Sequence, residues 1–269
     1  RLINHTAKIT LQAGKAVPIN LEYFENTRDA EVRLAWRMPG AVAPFDEALA
    51  AARNAEVIVF AGGLTSEVEG EEMSVNYPGF KGGDRTDLHL PKPQQNLLEA
   101  LQQLGKPIVL VLTGGGSMAV DWAHEKIPAI LMAWYPGQAG GAALADILFG
   151  DISPSGRLPV TFYTGDAQLP DFEDYSMQGR TYRFYQGKPL YPFGHGLSYS
   201  QFKYSKLKLE DRVLTAAQAT SLSVSIKNTG SMAASEIVQL YIRPNKPLLN
   251  DARKQLRGMQ SINLQPGEE

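Results

Sequence analysis

The sequence predicts an α/β fold: a mostly parallel sheet sandwiched by helices, flanked at both ends by partial antiparallel β-sandwich segments. Three observations predict it. From residue 41 to 150, short apolar runs alternate with amphipathic stretches, the rhythm of strands joined by crossover helices. The run PIVLVLTGGG shows no polar alternation, as expected of a parallel strand covered on both faces. On either side of that region, strands alternate apolar and polar residues, as antiparallel sheets with one wet face do.

Taken in order, AKITLQ, VPINLEYFE and EVRLAWRMP read as strands, with a turn at AGK. Three strands in residues 1–40 are too few for a core of their own, so they read as the closing strands of a β-sandwich. PFDEALAAARNA is an amphipathic helix and EVIVFAGG a short buried strand. PKPQQNLLEALQQLG is a helix with Pro at its start and Gly at its stop. PIVLVLTGGG and AILMAWYPG are strands, and QAGGAALADILFGD is a helix closing on Gly150. From Tyr199, FKYSKLKLE, ATSLSVSIKNTG and SEIVQLYIRP open a second antiparallel sandwich. The expected division is 1–40, 41–198 and 199–269. The opening on Arg1 in mid-pattern and the closing turn LQPGEE read as a piece of a longer protein.

Composition excludes several functions. The 269 residues carry a net charge of -2, which makes no electrostatic case for nucleic acid or an anionic membrane. No apolar run is long enough to span a bilayer. With no cysteine, disulfides, thiolate nucleophiles and Cys-ligated zinc are all excluded. Asn4-His5-Thr6 fits a glycosylation sequon, a three-residue match of little weight.

The chemistry-bearing segment is EVEGEEMSVNYPGFKGGDR. It follows EVIVFAGG, so Glu67, Glu69, Glu71 and Glu72 fall at the carboxyl edge of the sheet, where open α/β sheets bind ligands. A carboxyl group beside other carboxylates, or partly desolvated, can stay protonated and act as a general acid. The bland alternative is a solvated acidic loop. Asp84 and Arg85 close the segment and read as anchors: Arg85 can grip carbonyls or a carboxylate, and Asp84 can cap the next helix or pair with Arg85. Gly114-Gly115-Gly116 reads as a strand-to-helix turn, since neither G-x-G-x-x-G nor a P-loop lysine is present. Ser117 stands in no nucleophile elbow. His5, His89, His124 and His195 show no metal-ligand spacing, and His195 in YPFGHGLSYS reads as part of a packed linker. Asp121, Trp122, Trp134 and Tyr135 lie near strand ends, where aromatics are more often core than sugar platforms.

Several blocks together resemble a known family. AGGLTSEVEGEEM, GGDRTDLHLPKPQQNLLEAL, VLTGGGSMAVDWA, AWYPGQAGGAALADILFGDISPSGRLPVTF and YPFGHGLSYSQFKYS are similar, in that order, to the C-terminal α/β domain of glycoside hydrolase family 3. The match spans roughly residues 45–205. AGKAVPINLEYFENTRDAEVRLAWRMPG resembles the closing strands of a protective-antigen-type, lectin-like domain, and the segment after Tyr199 resembles a fibronectin type III-like domain.

The resemblance implies retaining hydrolysis of a β-linked oligosaccharide or glycoside, as by a β-glucosidase. One carboxylate attacks the anomeric carbon and another protonates the leaving oxygen. In the family the nucleophile is an Asp on an N-terminal barrel, absent from this sequence, and the acid/base Glu lies on a loop of the α/β domain. The pattern puts that residue at Glu69, with Glu71 as runner-up and Glu67 and Glu72 behind. It implies no cofactor and no metal, the barrel of the same polypeptide as partner, and a periplasmic or secreted location. A non-catalytic carbohydrate-binding or scaffold protein is the alternative, and a nucleotide-binding domain would rest on the glycines alone.

Overall fold

The computed structural model describes residues 9, 10, 12, 14–19, 45–70, 72–75, 77–211, 213, 215, 218–248 and 250–269. The chain divides into two units, Arg1–Ala51 and Ala52–Glu269. In the first, the turn expected at AGK is present: Gly14 takes φ +76° and the Lys15 amide donates to the Gln12 carbonyl (3.1 Å). Residues 9, 10, 12 and 15–19 are not in strands, because alternation makes a strand only where a neighbour pairs with it. The rest of the expected run of strands lies outside the described residues. Helix α1 (Asp46–Arg53) follows, with Asp46 and Glu47 in its first turn and Arg53 in its last, matching the helix dipole.

Beyond α1 the order is β1 (Ile58–Gly63), a small hairpin of β2 (Phe80–Lys81) and β3 (Asp84–Arg85), then α2 (Lys92–Gln102), β4 (Ile108–Thr113), α3 (Asp121–Lys126), β5 (Ala129–Trp134) and α4 (Gly140–Phe149). Strands β1, β4 and β5 form a parallel sheet in that order, Ile58 level with Ile108 and Val109 level with Ala129. All three therefore end at one edge, and the loops that leave β1, β4 and β5 meet there.

The core sits on the central strand. Ile108, Leu110 and Leu112 of β4 and Leu98 of α2 are almost wholly buried, and each such side chain withdrawn from water is worth ~1.5–3 kcal/mol. Helix α2 begins at Pro91 and carries Pro93 in its first turn, where a missing amide costs nothing. Helix α4 stops at Gly150, whose φ of +82° suits the left-handed C-terminal position. The expectation that EVIVFAGG is buried needs correction. Val57, just before β1, and Val59 within it are more than half exposed: Ile58 and Phe60 face the core, while Val59 points to the opposite face, which the described residues leave open.

After a short helix α5 (Thr181–Phe184) come two antiparallel pairs: β6 (Phe202–Leu209) with β7 (Leu222–Asn228), and β8 (Ala234–Ile242) with β9 (Gln255–Leu264). They are tied to the α/β part by Arg157, whose Nη2 lies 2.6 Å from Glu236 Oε2, both side chains only 12% exposed. Tyr204 donates its hydroxyl to Glu236 Oε1 (2.7 Å). Burial, together with Glu236, pushes the Tyr204 hydroxyl well above its ordinary pKa.

Candidate active site

Glu69 lies in the loop after β1, half-buried at the carboxyl edge of the sheet. Its Oε2 accepts two hydrogen bonds, one from the Gly115 amide (2.9 Å) and one from the Tyr135 hydroxyl (2.5 Å). Gly115 follows β4 and Tyr135 follows β5. One carboxylate thus joins the ends of all three parallel strands, the position at which open α/β sheets place ligands.

The local sequence explains how the loop reaches that point. At its start, Gly63 takes φ +120° and a side chain there would overlap the Thr113 backbone. Gln94 of α2 clasps Gly63 on both sides, accepting from its amide (2.7 Å) and donating to its carbonyl (2.8 Å). The Val68 and Glu69 amides both donate to the Thr65 carbonyl, curling the backbone into a turn that carries Glu69. Further on, Lys81-Gly82-Gly83-Asp84 forms a two-residue hairpin with φ of +64° and +95° at its glycines, the geometry that favours Gly-Gly. A Cβ at Gly83 would overlap the Gly70 carbonyl, so the hairpin packs backbone to backbone beside Glu69.

Arg85 completes the frame. Its Nη1 donates to the Ser117 carbonyl (2.7 Å) and its Nη2 to the Asp87 carbonyl (3.1 Å), binding the hairpin to the loop after β4. Burial draws its guanidinium below its ordinary pKa, against Glu69, Asp87 and Asp166, which raise it. Its Nε is buried without a hydrogen-bond partner among the described residues. Tyr135 follows Trp134, which ends β5 with φ +58°, a left-handed value costing a non-glycine residue about 1–3 kcal/mol and typical of functional sites. Burial first, then the Glu69 carboxylate, push the Tyr135 hydroxyl up to about 12.

The residues singled out from sequence fare differently. Arg85 sits where it grips two carbonyls. Asp84 is exposed and takes part through backbone pairing opposite Lys81; α2 begins at Pro91 without a side-chain cap. Glu67 and Glu72 are exposed, and Glu71 lies outside the described residues. Tyr135 is not core: it is 47% exposed, with its hydroxyl on Glu69. The glycines after β4 do form a turn, but Gly115 also donates to Glu69, which sequence reasoning missed. A Cβ there would stand 3.2 Å from both Glu69 Oε2 and the Tyr135 ring, so a glycine directly after a buried strand was the available signal.

His195 stacks on Tyr191 at 5.0 Å, as in a packed linker, and burial lowers its pKa. Asp87, His89 and Asp166 bring potential ligand atoms within 4.8 Å of one another. All three are exposed, and their hydrogen bonds are internal: Asp87 Oδ1 with the His89 ring (2.7 Å), and Asp166 Oδ1 with the Leu88 amide (3.0 Å). A cavity of about 600 Å³ opens elsewhere, beside Tyr182, Tyr185 and Arg243, and shares no lining residue with the Glu69 loop.

Fold and site together define a parallel α/β sheet whose carboxyl edge presents one carboxylate held by strand-end loops. The chain belongs to glycosyl hydrolase family 3: the model of that family's C-terminal domain matches residues 4–199, and that of a fibronectin type III-like domain matches residues 236–269. It is 45% identical over 228 residues to a xylan 1,4-beta-xylosidase of Xylanibacter ruminicola, covering 83% of this chain and 26% of that protein. It is 34% identical to the periplasmic beta-glucosidase of Salmonella typhimurium, covering 91% of this chain and 32% of that protein. A b-glucosidase of Erythrobacter marinus, EmGH1, superposes with a TM-score of 0.71 at 42% identity, covering 82% of this chain and 29% of that one. The chain therefore spans about a quarter to a third of the length of these relatives.

Proposed function

We propose that this chain supplies Glu69 as the general acid/base of a retaining β-glycosidase, acting on β-linked glucosides or xylosides with a nucleophilic carboxylate from a barrel elsewhere in the polypeptide. The observation that supports it is the tether of Glu69 to Gly115 and Tyr135 at the carboxyl edge of the sheet. A retaining mechanism needs two carboxyl groups on opposite sides of the glycosidic bond. Glu69 is only half-buried at that edge, as suits a group that meets a substrate held by a second domain.

In this reading residues 41–198 are the acid/base domain and residues 199–269 the fibronectin type III-like domain. The relatives' names divide between xylosidase and glucosidase, and they support a small β-glycoside rather than either sugar alone. A periplasmic or secreted location follows by analogy with the periplasmic relative. No helix among the described residues is long and apolar enough to cross a membrane.

Proton NMR of the complete enzyme's reaction tests the stereochemistry. The first-formed sugar is expected to be the β-anomer, with the α-anomer growing in by mutarotation. An α-anomer released first would mean inversion and remove the double-displacement reading.

A further inference from the structure

We propose that Tyr135 is a positioning residue for the proton-transferring carboxyl: with the Gly115 amide it occupies Oε2 of Glu69, leaving Oε1 as the oxygen that exchanges the proton. The inference rests on the acid/base reading of Glu69. A carboxylate offers about four lone-pair sites on two oxygens. Here both donors converge on Oε2, while Oε1 accepts no hydrogen bond from the described residues.

The two donors are not equivalent. A backbone amide only donates, so the Gly115 N–H cannot turn to accept a proton placed on Oε2. The Tyr135 hydroxyl, kept protonated up to about 12 by burial and the neighbouring Glu69, always has a proton to give to Oε2 at ordinary pH, and that is the direction of the contact. Its 2.5 Å contact is at the short end for a hydroxyl on a carboxylate. The left-handed turn at Trp134 and the absence of a side chain at Gly115 hold both donors in place.

The resulting step balances. The Oε1 proton passes to the glycosidic oxygen as the bond from that oxygen to the anomeric carbon breaks, its electron pair staying on the departing oxygen. The nucleophilic carboxylate of the barrel takes the anomeric carbon. In the second half, a water molecule attacks that carbon, the carboxylate leaves, and Oε1 accepts the water's proton.

Kinetics of Tyr135→Phe in the complete enzyme test this, with Glu69→Gln beside it. On a methyl β-glycoside, which needs a proton to leave, kcat/KM is expected to fall about ten- to a hundredfold, the worth of one hydrogen bond to a charged group. On a 2,4-dinitrophenyl β-glycoside it should stay within about threefold, because that leaving group departs unprotonated. Unchanged rates on both, or equal losses on both, would overturn the positioning role. Equal losses for Glu69→Gln would instead remove the acid/base reading on which it rests.

A second readout needs no activity. Ring resonances of Tyr135 in the chain itself should titrate near 12, and measurably lower in Glu69→Gln, where burial alone still holds the hydroxyl above its ordinary value. A midpoint unmoved by Glu69→Gln would show that the contact is absent, and would overturn the proposal.

Discussion

Glu69→Gln is expected to lower kcat/KM for an alkyl β-glycoside by about a thousandfold, within the range of about a hundred to ten thousand that a positioned general acid supplies. The same change should leave kcat/KM for a dinitrophenyl glycoside nearly intact, because kcat/KM reports steps up to cleavage and that leaving group needs no proton. On the activated substrate kcat should still fall, since in the proposed mechanism Glu69 is also the base for hydrolysis of the glycosyl-enzyme. KM should fall with it, as the intermediate accumulates. The pattern separates proton transfer from mere loop damage: a loop that failed to close would slow both substrates alike. Steady-state kinetics on the two substrates decide it.

The largest expected loss of stability lies far from that chemistry, at Asn228. Its side chain is fully buried, and both of its polar atoms are satisfied twice. Oδ1 accepts from the Ser200 hydroxyl (2.6 Å) and the Gly230 amide (3.0 Å). Nδ2 donates to the carbonyls of Met232 (2.9 Å) and Leu264 (3.0 Å). One residue at the end of β7 thereby ties the loop before β6, the β7–β8 turn and the end of β9. Asn228→Ala strands several of these partners without replacement, and each buried unpaired group costs about 1–3 kcal/mol, so a total loss of roughly 3–5 kcal/mol is expected. Urea unfolding monitored by circular dichroism would show it. A loss below about 1 kcal/mol would mean that water or a local shift repairs the network.

How much of this was visible in the sequence depends on the range of each interaction. PIVLVLTGGG gave itself away as a parallel strand covered on both faces because it lacks polar alternation, and Gly150 as a helix stop because a left-handed residue is needed there. Helix α3 was implied only by the strand-to-helix turn read at Gly114-Gly115-Gly116 and was given no bounds, since DWAHEK is too short to show a helical period. Strand β9 escaped because Gly258 interrupts its alternation where the pairing register shifts. The hairpin at Gly82-Gly83 spans only two residues on each side, too few for any pattern, although the glycine pair itself is a turn signal.

The site divides in the same way. The acidic loop was legible as a position, because strand ends mark the ligand edge. Its partners were not. Glu69 and Tyr135 stand 66 residues apart, and Glu69 and Gly115 46. Only the order of strands in the sheet brings them together. No local feature of AILMAWYPG says that its tyrosine faces a carboxylate rather than the core.

The measurement that tests the central claim most directly is azide rescue of Glu69→Ala in the complete enzyme, with a dinitrophenyl β-glycoside as substrate. Azide is already an anion and attacks the glycosyl-enzyme without a general base, and the shortened side chain leaves it room. Azide is predicted to restore kcat and to yield the β-glycosyl azide, identified by NMR as the retained anomer. No restoration and no β-azide, from a protein that still forms the glycosyl-enzyme, would contradict the assignment of Glu69 as the acid/base.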